Sequence, residues 1–244
     1  MWEYAFLGFL QGIFEWIPIS SEGVVALVSK SMVNGLNSVD LALFLHLGTL
    51  LALFVYFYKD WIDLLLMKDK EFFKFFVIVT LVSGVIGFPM YKLSKEISMG
   101  WGLLMLIGFG LLLTSFLQSK KINLKINNNI SAIFVGLLQG LSAIPGVSRS
   151  GSTIFGLSLN ESDPKKILKK SYLISAPVVF GSSLYLYLDN PSIASESWIG
   201  LIFSFIFGLI FLKILLSFAE KINFSKFTLI FGLICILGAL LELI

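Results

Sequence analysis

The sequence predicts an all-α membrane protein in which six full transmembrane helices and two re-entrant helical hairpins form two inverted-topology repeats. Three observations predict it. Of 244 residues, 57% are hydrophobic and only 14% are charged, against about 25% charged in a soluble domain, so the solvent of this chain is lipid. The apolar runs come in two lengths, one that crosses a bilayer and one that does not. A short polar signature occurs once in each half.

Taken in order, the first apolar run covers residues 2–17 and stops at Pro18-Ile19-Ser20-Ser21-Glu22-Gly23 before resuming over 24–32. About 16 helical residues reach only about 24 Å, short of the roughly 30 Å hydrocarbon layer. This stretch therefore reads as a hairpin whose tip sits at membrane depth, where exposed backbone is tolerated only against protein or a wet cavity. Runs over 39–58, 72–91 and 99–117 are long enough to span. The second broken run covers 130–144, is interrupted from Pro145 to Gly151 and resumes to Leu159; spans at 170–188, 198–218 and 227–244 follow. The N-terminus lacks a basic segment before its apolar run, so that run is expected to belong to the mature fold. Cys235 is the one cysteine and reads as a small buried apolar residue. Gly84, Gly87, Gly100 and Gly108 read as sites of close helix packing.

The two broken runs match in sequence. Gly8-Phe9-Leu10-Gln11-Gly12 repeats as Gly136-Leu137-Leu138-Gln139-Gly140, each followed by a proline, serines and a glycine (Gly23, Gly151). Repeat 1 covers about 1–118, the Asn-rich linker 119–129, and repeat 2 about 130–244, within a single membrane domain. One hairpin plus three spans is an odd number of crossings, so the second copy enters from the opposite face and the tips converge near the midplane. On that layout fourteen lysines lie on one side, while the side carrying the termini holds Lys30, Lys92 and Lys95. The lysine-rich side is cytoplasmic, which puts both termini outside.

Several polar residues sit inside this apolar frame. Gln11 and Glu15 share a helix face at i and i+4, and a carboxylate at membrane depth is a functional candidate. The bland reading leaves Glu15 in water at an interface. The second tip, Pro145-Gly146-Val147-Ser148-Arg149-Ser150-Gly151-Ser152-Thr153, holds the only arginine of the chain. Its planar fork suits phosphate oxygens, and a helix starting near Ser150 directs its positive end at an anion. The structural alternative is an Arg149–Glu15 pair that merely tacks the hairpins together. Ser21 beside a carboxylate is a candidate nucleophile, and Glu15 with Glu22 offers oxygen ligands to a hard divalent cation. His46, the only histidine, is either a polar residue bonded between helices or an auxiliary acid/base.

At these residues the chain resembles the undecaprenyl-diphosphate phosphatase family of the bacitracin-resistance type, integral membrane enzymes that recycle a lipid carrier. The resemblance rests on Gln11-Gly12-Ile13-Phe14-Glu15 leading into Pro18-Ile19-Ser20-Ser21, on the nine-residue second tip, and on Phe44-x-His46-x-Gly48-Thr49. It implies hydrolysis of a polyprenyl diphosphate to its monophosphate and inorganic phosphate, with Glu15, Ser21 and Arg149 catalytic. It further implies that Gln11, Ser148, Arg149, Ser150 and Thr153 hold the phosphates, and that a divalent cation (Mg or Ca) takes part, with Glu15 as its ligand. Many members carry a histidine where this chain has Val24; His46, Glu22 or a metal-activated water is left to fill that role. The expected partners are the lipid and the bilayer, without nucleic acid, and the oligomeric state stays open, a homodimer included. The site is expected to open on the outer face of the cell membrane. The rival expectation is a transporter or flippase of polyprenyl phosphate, since inverted repeats with broken helices are also transporter architecture.

Overall fold

The computed structural model describes residues 1–17, 21–33, 36–94, 100–119, 126–143, 147–219 and 224–242. Pro18, Ile19 and Ser20 of the first tip, Pro145 and Gly146 of the second, and linker residues 120–125 lie outside them. The described residues form helices and their connections. These are α1 (Trp2–Phe14), α2 (Ser21–Met32), α3 (Ser38–Tyr56), α4 (Tyr58–Leu65), α5 (Lys70–Ser94), α6 (Gly100–Ser119), α7 (Asn128–Leu141), α8 (Arg149–Ser158), α9 (Pro164–Asp189), α10 (Ser192–Ala219) and α11 (Phe224–Glu242).

Three of these helices are long and apolar enough over Lys70–Lys92, Pro164–Asp189 and Ser197–Ala219 to cross a membrane. The segment Asp40–Tyr56 passes with Tyr58–Leu65 as a pair bent by 80°. The chain is thus a multi-pass membrane protein. Each broken run forms a helix on either side of its break: α1 and α2 in the first, α7 and α8 in the second.

Two elements differ from the sequence reading. Residues after 58, expected as a loop, form α4, where Lys59 and Asp63 face outward, Asp60 pairs with Lys169 and Leu64 is buried. Its low apolar content hid it from a search for long hydrophobic runs; its amphipathic face is what folds it. Met67, in a left-handed conformation at φ 51°, ends it. The helix α9 begins six residues ahead of its apolar run because Asp163 caps it. That side chain accepts from Lys165 N at 2.9 Å and Lys166 N at 3.4 Å, with Pro164 in the first turn.

The helices pack crosswise between the halves. The first-half α1 lies chiefly on α10, and the second-half α7 lies chiefly on α5; α3 meets both α9 and α10, and α6 lies on α11. Exchanging α1, α2, α3, α5 and α6 for α7, α8, α9, α10 and α11 returns these pairings. The repeated glycines explain the exchange. A Cβ on Gly12 would stand 2.7 Å from Gly208 N, and one on Gly140 2.7 Å from Ile86 Cβ; Gly8 likewise abuts Gly200 O and Gly136 abuts Val82. Each Gly-x-x-x-Gly thus seats its short helix on a long helix of the other half, where small residues let backbones approach.

Gly108 also meets the expectation of close packing, with Ile236 Cγ1 2.6 Å from its Cβ position, while Gly87 makes only ordinary contact with Gly140. Gly84 corrects it: nothing lies within 4 Å of a Cβ built there. The surroundings of Gly100 fall outside the described residues.

Candidate active site

Glu15 follows the last turn of α1, and its N–H still bonds Gln11 O at 3.0 Å. That fixes its direction toward the gap between α2, α3 and α8. Its carboxylate is a hub. Oε2 accepts from Gln11 Nε2 at 2.8 Å and from Ser21 Oγ at 2.9 Å, and it lies 3.0 Å from His46 Nε2. Oε1 pairs with Arg149 Nη2. Only 3% of the Glu15 side chain and 17% of that of Arg149 are exposed, so the pair interacts where water screens little.

The histidine is oriented by its own helix. Nδ1–H of His46 donates to Ala42 O at 2.8 Å, so in a neutral ring Nε2 carries no hydrogen. That nitrogen stands 3.0 Å from a carboxylate oxygen of Glu15, within reach of a shared proton. Ser21 Oγ lies 3.4 Å from the same nitrogen. Carboxylate, imidazole and hydroxyl therefore share one small proton-transfer cluster.

The start of α8 supplies the opposing charge. Ser148 is its N-cap, accepting from Gly151 N at 3.2 Å, and leaves the helix dipole directed at the site. Ser148 and Ser150 hydroxyls stand 3.2 Å apart, and Ser150 Oγ donates to Ile17 O at 3.4 Å, tying the two broken runs together. A brace that sequence reading missed holds the residue next to Glu15. Tyr172 donates to Trp16 O at 3.0 Å, their rings meet edge-on at 5.0 Å, and Trp16 Nε1 donates to Gly208 O at 2.8 Å. Residues 16 and 172 carry no local signal of this; only tertiary packing joins them.

These groups line one end of a cavity of about 320 Å³. Glu15, Ser21, Glu22, His46, Ser148, Arg149 and Ser150 are on its wall. Gln11 and Thr153, expected to touch phosphate, stand behind it instead. Gln11 is fully buried, and its Nε2 donates to Glu15. Thr153 lies one turn along α8, bonded to Arg149 O at 3.0 Å and to Ser171 Oγ at 2.5 Å. Their placement makes them supports of Glu15 and of Arg149.

Among the described residues no three His, Cys, Asp or Glu side chains gather as metal ligands, and both Glu15 oxygens already face protein donors. This donor set builds no cage for a divalent cation by itself. It fits one only when phosphate oxygens complete the coordination, the usual mode for Mg²⁺.

Fold and site together define a class: helical multi-pass membrane proteins that present a half-buried arginine, a carboxylate and hydroxyls to a partly apolar cavity. Within that class the chain belongs to the bacitracin resistance protein BacA family, whose profile matches residues 4–240. It is 33% identical to an undecaprenyl-diphosphatase of Methanococcoides burtonii, covering 96% of this chain and 97% of that protein. Another, of Haloarcula marismortui, is 34% identical over 96% of each chain. One from Halothermothrix orenii is 32% identical over 93% of this chain and 92% of its own.

Proposed function

We propose that this protein hydrolyses an undecaprenyl-type polyprenyl diphosphate to the monophosphate and inorganic phosphate, recycling the carrier for cell-envelope glycan synthesis. The observation that carries the reading is the meeting of Arg149, at the N-terminus of α8, with Glu15, Ser21 and His46 on the wall of one cavity. Relatives of nearly equal length bear the name undecaprenyl-diphosphatase. The bare tack between hairpins accounts for the ion pair but not for the hydroxyls and imidazole gathered on the same wall.

In this reading the incoming diphosphate competes with Glu15 for Arg149. The fork of Arg149 and the N–H groups opening α8 take the phosphoryl oxygens and stabilise charge that develops there. Glu15, released from its cation, accepts the proton of Ser21 Oγ or of a water held in its place. The oxygen bonds to the terminal phosphorus, the bridging P–O bond breaks, and its electron pair leaves with the polyprenyl monophosphate. If Ser21 is the attacking group, water then cleaves the phosphoserine and restores the hydroxyl. His46 passes protons to and from Glu15, a role for which Val24 offers nothing. Glu15 and Glu22 would hold a divalent cation, Mg or Ca, which when bound would neutralise phosphate charge.

The same proposal takes the chain as six spans and two re-entrant hairpins in inverted repeats, with both termini outside and the site opening on the outer face. The exchange symmetry of the helix packing and the lysine bias support it. The test is phosphate release from C55 diphosphate by purified protein in detergent with Mg²⁺ or Ca²⁺. Release that Glu15→Gln abolishes is the expected result. Movement of polyprenyl phosphate across vesicle membranes with no release overturns the reading in favour of a transporter.

A further inference from the structure

The cavity continues beyond its polar end, and its far wall belongs to α5 and α9. The two helices follow different neighbours: α5 lies chiefly on α7, and α9 chiefly on α3. They come together near their C-terminal ends through aromatic rings, Tyr185 meeting Phe88 and Tyr91 edge-on with centroids 6.0 Å apart in each pair. Phe88 is 50% and Tyr185 40% exposed. Both helices are long and apolar enough to span, so this outer surface meets lipid chains rather than water.

Two glycines interrupt that wall. A glycine inside a helix is intrinsically unfavourable, and at Gly8, Gly12, Gly136 and Gly140 close helix approach explains it. At Gly84 on α5 and Gly181 on α9 it does not. Both line the cavity, both are exposed, and a Cβ on either meets no atom within 4 Å. What these positions keep free is space, on the two helices that face each other across the slot.

We propose that the slot between α5 and α9, bordered by Phe88, Tyr91 and Tyr185 and kept open by Gly84 and Gly181, is the isoprenoid subsite. The first isoprene units of the substrate lie there, and the rest of the tail passes sideways into the bilayer. The chemistry matches at both ends of the cavity: a diphosphate needs the cation and hydroxyls around Arg149, while an unsaturated hydrocarbon needs an apolar passage edged by aromatic rings. A free phosphate or a nucleotide would have no use for the second part. This inference rests on the phosphatase reading.

The experiment compares Gly181→Leu and Gly84→Leu with wild type on C55 diphosphate and on tailless methyl diphosphate, reading phosphate release and thermal melting. The added side chains enter empty space, so melting is expected to hold. The ratio of kcat/KM for C55 diphosphate over methyl diphosphate is expected to fall at least about tenfold, the discrimination that small changes in an apolar pocket produce. Two variants on different helices guard against one failing to fold. An unchanged ratio in a folded variant overturns the subsite. Wild-type protein that releases phosphate from neither substrate overturns the phosphatase reading, and the subsite with it.

Discussion

Replacing Arg149 by lysine keeps a cation at the start of α8 and removes the guanidinium fork. Nη2 of Arg149 faces Glu15 Oε1, and with only 17% of the side chain exposed solvent does little to replace a lost partner. Lysine offers a compact point charge that cannot hold two phosphoryl oxygens side by side. Losing one charge-assisted hydrogen bond to the transition state costs about 1.5–3 kcal/mol. At about 1.36 kcal/mol per decade of rate, kcat/KM should fall about 10- to 150-fold. Lysine is more informative than alanine here, because alanine would also strand the buried Glu15 carboxylate without its cation and destabilise the fold. The assay is initial-rate phosphate release from C55 diphosphate in detergent, with melting measured alongside. Wild-type kcat/KM in Arg149→Lys would refute the assignment of the fork to the substrate.

Three further outcomes follow from the same geometry. His46→Gln keeps a hydrogen-bonding side chain near Glu15 but cannot carry a proton, so kcat should drop about 10²- to 10⁴-fold with KM held; unchanged kcat would remove His46 from the chemistry. Gly12→Val would force a side chain into Gly208 N and Phe207 Cβ, 2.7 and 2.8 Å from its Cβ position. It should cost about 1–3 kcal/mol and several degrees of melting temperature, and an unaltered melt would contradict the close seat of α1 on α10. Glu3→Cys should react with a membrane-impermeant thiol reagent in intact cells, since the native Cys235 is 1% exposed. Labelling only after permeabilisation would reverse the orientation.

Much of the helix order could be read from the chain because lipid imposes a length rule: backbone polar groups must bond within a span, so long apolar runs become helices. The rule is silent on α4, whose eight amphipathic residues, about two turns, are too polar and too few for it. The repeated Gly-x-Leu-Gln-Gly signature announced two related halves but not which helix each copy would lie against, since that is decided by tertiary packing on α10 and α5. The site divided the same way. Glu15 and Arg149 stood out as isolated charges in apolar sequence. His46 stood out as the single histidine, but its proximity to Glu15 and Ser21 arises from the packing of α1, α2 and α3, and the Tyr172 brace on Trp16 from the packing of α9 against the end of α1. Gln11 and Thr153 show the opposite case, polar residues inside a motif whose donors go to their neighbours, the Gln11 amide nitrogen to Glu15 and the Thr153 hydroxyl to Arg149 O.

The crosswise seating of α1 on α10 has a consequence for how the protein is made. A ribosome finishes α1 at Phe14 long before it begins α10 at Ser192, and Arg149 and Gly208 do not exist when Glu15 leaves the tunnel. Until they do, the first hairpin has neither the groove that receives its glycines nor the cation that balances its carboxylate. Insertion of the early spans and closure of the site are thus separate events, divided by most of the translation time. A chain cut short before Arg149 lacks the cation of its reaction centre, and one cut before Gly208 lacks the seat of α1, whatever spans it has already placed in the membrane.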